Sequence, residues 1–107
     1  MTIIAELQKN RLIDDLRQHL IFNESEYLHL ITILQTIKAD LKGKNHIDKT
    51  VAAFLYEIPK MLYIWLFRLK EDTSFSDNDM LEKLENACIE IDTIIGEEIF
   101  WADTNAF

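Results

Sequence analysis

The sequence is poor in the residues that turn-rich folds depend on. Two Gly, one Pro and a single Val in 107 residues leave little material for hairpins and β-strands. Cys88 is the only cysteine, which excludes an internal disulfide and fits a reducing compartment. Gly43 and Gly96 stand alone, so there is no glycine-rich phosphate cradle. Positive charge is also scarce. Lys and Arg number 11 against 19 Asp and Glu, a net charge of −8. Such a chain is expected to be repelled by nucleic acid and by anionic membranes, and attracted to basic surfaces. The first residues, Met1 to Glu6, reach an acid without a basic n-region or a long apolar run, so no secretory signal is expected and the chain reads as cytoplasmic.

What is present suits helices. Leu and Ile dominate the apolar residues, and Glu and Lys are frequent among the polar ones. The length and the 49% apolar content correspond to one helical domain over residues 1–107. A first helix is expected over about 2–22. Its stripe changes face, from Ile3, Ile4 and Leu7 to Leu12, Ile13, Leu16 and Leu20. This reads as one helix touching two neighbours, the other reading being a break near Asn10. A second helix opens on Asn23-Glu24-Ser25-Glu26, the form of a capping box. Tyr27, Leu30, Leu34, Ile37 and Leu41 then recur every three or four residues, and Gly43 is the expected stop.

The third helix is expected from about Asp48 to Lys70. Between Val51 and Phe67 only Glu57, Pro59 and Lys60 interrupt the apolar and aromatic residues. A membrane span is rejected because a Glu and a Lys fall near its centre and the apolar runs beside them are short. A central helix touching neighbours on most sides is expected instead, kinked or split at Pro59. Ser76-Asp77-Asn78-Asp79 marks the start of a fourth helix, with Leu81, Leu84, Cys88, Ile91 and Ile95 as its core stripe. Gly96 should weaken its later turns, with fraying after Trp101. The whole is an all-α, antiparallel four-helix bundle with a central apolar helix kinked at Pro59.

Catalytic and metal-binding constellations are weak. Glu26 and His29 have the Glu-x-x-His spacing of di-iron bundles, but no second copy exists. His19, His29 and His46 share no ligand spacing. Cys88 falls in a core register, which favours a packed thiol over a nucleophile. Glu57 and Lys60 read as a pair at the rim of the core, the functional alternative being a buried carboxylate of raised pKa. No cofactor, metal or enzymatic activity is expected.

The charge distribution is more informative. Residues 1–70 carry ten Lys and Arg against eight Asp and Glu, whereas residues 71–107 carry Lys83 against eleven acids. Surfaces kept only for solubility usually mix signs. Ile89, Phe100 and Trp101 fall off the core stripe beside these acids, and aromatic anchors ringed by charge are a common interface design. The expected partner-binding residues are Asp77, Asp79, Glu82, Glu85, Glu90, Glu97, Phe100 and Trp101.

The expected function is inhibitory binding to a basic protein, most simply the domain of a toxin nuclease. In size, charge and helicity the chain is similar to the acidic immunity proteins of bacterial toxin systems, though no residue motif carries that likeness. The alternative is a homodimeric or adaptor module associating through Phe54, Tyr56, Tyr63, Trp65 and Phe67 of the third helix.

Overall fold

The computed structural model describes residues 2–102, and those residues are helical without strands. The elements are α1 (Ile3–Lys9), α2 (Leu12–His19), α3 (Glu24–Leu41), α4 (Lys49–Glu71) and α5 (Asn78–Thr93), with a π-helical segment (Ile94–Phe100) continuing α5.

The first expected helix is two helices. Asn10 leaves the helical region at ψ 130°, and its side chain holds the corner. Nδ2 donates to the Glu26 carbonyl at 2.9 Å and to Glu26 Oε2 at 3.0 Å, while Oδ1 accepts from the Leu12 amide at 3.1 Å. The physical reason is the change of stripe. The break turns Leu7 and then Leu12 and Leu16 into the same core, which one straight helix could not do. It also explains why half of the expected capping box is missing. Asn23 caps α3 by accepting from the Glu26 amide at 3.2 Å, but the Glu26 carboxylate turns to Asn10 and to the Arg11 amide at 3.4 Å.

Two ends carry left-handed residues. Gly43 stops α3 at φ 74°, as its sequence position implies. Leu20 ends α2 at φ 52°, where a side-chain-bearing residue is strained. Its conformation is held by Leu20 N to Leu16 O at 3.1 Å, the closing bond of the αL motif usually given to glycine, and by Ile21 N to Asp15 O at 3.4 Å.

The helix α4 starts at Asp48, whose carboxylate accepts from the Thr50 and Val51 amides. It runs unbroken through Pro59, so it is not split there. Nor is it enclosed. The molecule measures 46 × 35 × 19 Å, and 19 Å is only about two helix diameters. Every helix therefore has an outer face. On α4 that face carries Tyr56 and Phe67, exposed by 65% and 60%, while Leu55, Ile58, Leu62, Leu66 and Leu69 form the buried stripe. Both α1 and α2 touch α3 and α4; α4 lies on α5, and the π segment returns to α3.

The buried row of α5 is Met80, Leu84, Ala87, Cys88 and Ile91, with Met80 rather than Leu81 at its start. Helical structure persists beyond Gly96, through Phe100. At about 100° per residue, an α-helix would swing Ile99 roughly 140° from Ile94. The wider π turn, closed by Trp101 N to Gly96 O at 3.0 Å, keeps Ile94, Ile95 and Ile99 all buried.

Candidate protein-binding surface

The acids of the last third do not form one uniform face. The core stripe of α5 divides them. Asp77 is the N-cap, accepting from the Met80 amide at 3.0 Å. Glu85 lies on the α4 side, 3.2 Å from Lys70. Asp79 lies on the other side with Lys83 at 3.5 Å, and Lys83 also reaches Glu24 of α3 at 2.8 Å. These two carboxylates, Glu24 foremost, hold the Lys83 ammonium above its ordinary pKa. Glu98 meets Lys38 of α3 at 2.7 Å. Two lysines from the balanced part of the chain, Lys38 and Lys70, thus reach into the acidic third. Glu82, Asp92 and Glu97 make no ion pair among the described residues, and Glu82 and Glu97 point to solvent.

Glu90 has a different setting. It lies beside Tyr27 of α3, whose phenol is pushed well above its ordinary pKa, first by burial and then by this carboxylate. The Tyr27 ring meets Phe22 at 5.5 Å between centroids. Tyr27, Phe22, Leu28, Ala87, Glu24 and Glu90 line a cleft of about 350 Å³ between the start of α3 and the middle of α5. A second cleft, of about 240 Å³, continues it past Phe22 and Lys83 to Leu20, Ile21, Asp77 and Asp79. Leu20, Ile21 and Leu28 are exposed by 46%, 54% and 64%. An apolar groove with carboxylates at Asp77, Asp79, Glu24 and Glu90 results, its one cation already flanked by two acids.

The structure brings Asp77, Asp79 and Glu90 to this groove and leaves Glu82 on the crest of α5 beside Ile89, itself exposed by 55%. Phe100 and Trp101 are exposed, as expected of anchors, but they lie at the other end of the helix. Counting the rise per residue, that end is roughly 30 Å from Asp77. Phe100 there lines a cleft of about 510 Å³ with Lys38, Lys42, Lys44 and Glu98, a neighbourhood of mixed charge. Leu20, Ile21, Tyr27 and Leu28 are the surface residues that sequence reasoning passed over. Leu28 carried a usable signal, since it falls off the Tyr27-Leu30-Leu34 stripe.

The remaining polar candidates are ordinary. Glu57 is exposed and pairs with Lys60 at 3.6 Å, so it is not a buried carboxylate, and Lys60 lies 5.5 Å from the centre of the Tyr56 ring. Burial pushes the Cys88 thiol up to about 12, aided by Glu85 and Asp92, which suppresses the thiolate. Glu26, 3.7 Å from His29, is engaged at the α1–α2 corner. Among the described residues no group of three His, Cys, Asp or Glu side chains is placed to hold a metal ion.

No protein-family model, curated protein or solved structure matches this chain.

Proposed function

We propose that the protein is an inhibitory binding domain that engages a basic protein through the acidic flank and crest of α5, most simply as an immunity protein that neutralises a nuclease-type bacterial toxin. The observation that carries this reading is the pairing of unneutralised carboxylates with exposed apolar side chains on one helix. Among the described residues Glu82, Glu90 and Glu97 pair with no lysine, while Ile89 lies beside Glu82 and Leu28 of α3 lines the groove with Glu90. A nuclease surface is basic because it must hold phosphates, and an array of carboxylates fits the same field. Long-range attraction speeds encounter, and the apolar contacts slow release. Phe100 and Trp101 serve as a second anchor point toward the end of the same ridge.

The reading takes the bundle as antiparallel. Lys70 pairs with Glu85 while Tyr63 feels Asp92 and Cys88, so numbers fall along α4 as they rise along α5. Asn10 meets Glu26 and Leu7 lies near Leu30, the same relation between α1 and α3. Pro59 has no amide hydrogen to donate and kinks α4. The protein acts in the cytoplasm as a non-enzymatic binder, away from membranes and without touching nucleic acid itself. One helix, Lys49–Glu71, is long and apolar enough to span a bilayer by length and composition. The exposed Glu57 and Lys60 at its middle weigh against insertion.

Stopped-flow mixing with basic nuclease domains at rising salt tests the reading. Association should slow steeply with salt, and Glu82→Lys, Glu90→Lys and Glu97→Lys together should slow it by on the order of tenfold to a thousandfold at low salt. Association indifferent to salt and to the three reversals would end it.

A second reading is favoured by one observation. Tyr56, Ile64 and Phe67 follow one outer side of α4, and Tyr56 and Phe67 are among the most exposed large apolar residues described. This is a face for a second copy of the chain. Phe54, Tyr63 and Trp65 contribute less, being partly packed against the core. Light scattering decides it, and a strict monomer at high concentration removes the homodimer.

A further inference from the structure

We infer that the groove between the α2–α3 corner and α5 seats a basic amphipathic helix of the partner, with the strained residue Leu20 and the exposed Leu28 as its apolar lips. The inference rests on the acidic-surface reading and assigns it a precise place and occupant. Three observations support it. First, the two clefts share Phe22 and Lys83 and so form one trough. From Asp77 to Glu90 it runs about 20 Å, the length of three to four helical turns. Second, its lining joins apolar side chains (Leu20, Ile21, Phe22, Tyr27 and Leu28) to acids, with Asp77 and Asp79 at one end, Glu90 at the other, and the Lys83–Glu24 bridge between them. An amphipathic helix with Lys or Arg flanking a leucine stripe complements both features. Third, Leu20 occupies a left-handed position that glycine would fill without strain, yet its side chain lies 46% exposed at the rim. Folding gains little from that side chain, so a strained, exposed leucine is accounted for by contact with something else.

Lys83 fits the same picture. Held between Glu24 and Asp79, it bridges α3 and α5 and sets the width of the trough. A basic helix entering there would compete for those two carboxylates and displace the bridge.

The test uses the whole chain, isotope-labelled, titrated with a synthetic amphipathic peptide of Leu and Lys at helical spacing, and with a Leu and Glu peptide of the same pattern. The first should shift the amides of Tyr27, Leu28, Ala87 and Glu90; the second should shift none of them. Leu28→Ser should weaken binding about tenfold, a typical loss for an anchor residue. Leu20→Gly should do the same while raising Tm by a few degrees, because it relieves the left-handed strain. That rise separates loss of contact from loss of fold. Phe67→Ser, on the outer face of α4, should change nothing. Shifts centred on α4, or full binding by Leu20→Gly and Leu28→Ser, overturn the groove. The two proposals also fail separately. A basic nuclease released by the triple reversal but retained by the leucine variants refutes the groove and leaves the acidic surface standing. One retained by both refutes the acidic surface.

Discussion

The helices α4 and α5 lie against each other, and their inner sides are alike. Leu55, Ile58, Leu62, Leu66 and Leu69 of one and Leu84, Cys88 and Ile91 of the other belong to one core. Their outer sides are opposites. That of α4 offers Tyr56, Ile64 and Phe67 with a paired Glu57 and Lys60, whereas that of α5 offers Glu82, Ile89 and Glu90 with carboxylates that outnumber their lysines. In a body about two helices thick, the outer half of each helix is free to differ, since only the inner half is committed to folding. The difference would give one small protein two kinds of contact surface. Contact through α4 would be apolar and indifferent to salt, whereas contact through α5 would be steered by charge.

The largest effect should be one that does not tell the helices apart. Leu62→Ala and Leu84→Ala each remove a side chain with no exposed surface. Each should lower stability by about 2–5 kcal/mol in urea unfolding. A loss confined to one of them would break the equivalence of the inner faces.

The outer faces should then separate on kinetics. Reversing Glu82, Glu90 and Glu97 should slow association with a basic partner by on the order of tenfold to a thousandfold at low salt, with the difference shrinking as salt rises. Phe67→Ser should leave that rate alone. Phe67→Ser, Glu82→Lys and Glu97→Lys should each move stability by no more than about 0.5 kcal/mol, since they lie on exposed positions, whereas Glu90→Lys also removes the carboxylate beside the Tyr27 phenol and should cost more. Slower association from Phe67→Ser would mean that the two faces act as one.

Alkaline pH acts on both helices, through the Tyr63 phenol of α4, raised chiefly by burial, and at lower pH through the Cys88 thiol of α5. The Cys88 thiol of α5 has its folded-state pKa raised to about 12, by burial first and then by Glu85 and Asp92. A raised pKa means that the unfolded chain loses the proton first. The stability owed to the neutral thiol is complete below the ordinary thiol value and declines as pH rises from there toward 12. Tyr27 adds a loss of the same sign above the ordinary phenol value. Urea midpoints measured between pH 8 and pH 11 should fall in the wild type and fall less in Cys88→Ala. An equal fall in both would show that folding does not raise the thiol's pKa.

The sequence showed the inner faces more clearly than the outer ones. Three-four spacing placed Leu30, Leu34, Ile37, Leu84, Cys88 and Ile91 in the core, because periodicity reports burial directly. It also showed the change of stripe at Asn10, but not how the chain would resolve it. That depended on Asn10 finding Glu26, a contact between residues 16 apart in sequence. The apparent centrality of α4 came from its composition, and composition cannot show that a flat molecule leaves half of such a helix uncovered. The acidic third was legible as charge, yet its partial neutralisation by Lys38 and Lys70 was not, since those lysines precede it in the chain. The π turn had no signal beyond Gly96 followed by Ile99. Of the apolar lip, Leu20 read as the last member of the Leu12-Ile13-Leu16 stripe and is instead exposed beyond the end of α2, while Ile21 and Leu28 fitted no stripe.

The smallest expected effect bears on how the two helices are joined. Asp77 caps α5 through the Met80 amide, and Lys70 of α4 reaches across to Glu85 of α5 at 3.2 Å. Asp77→Ala should cost about 1 kcal/mol, the usual value of an N-cap. Lys70→Ala should cost less, about 0.2–1 kcal/mol, because both partners of the pair stay nearly half exposed and water screens the attraction. Removing Lys70 also leaves one more unneutralised carboxylate on α5, at the border with α4. Its effect on binding should therefore run opposite to its effect on folding, with slightly lower stability and slightly faster association with a basic partner at low salt. Urea unfolding and stopped-flow mixing of the same variant check both signs. Unchanged association would mean that Glu85 and the α4 side of the ridge lie outside the field that steers the partner, and would confine the charged surface to the Glu82–Glu90 side.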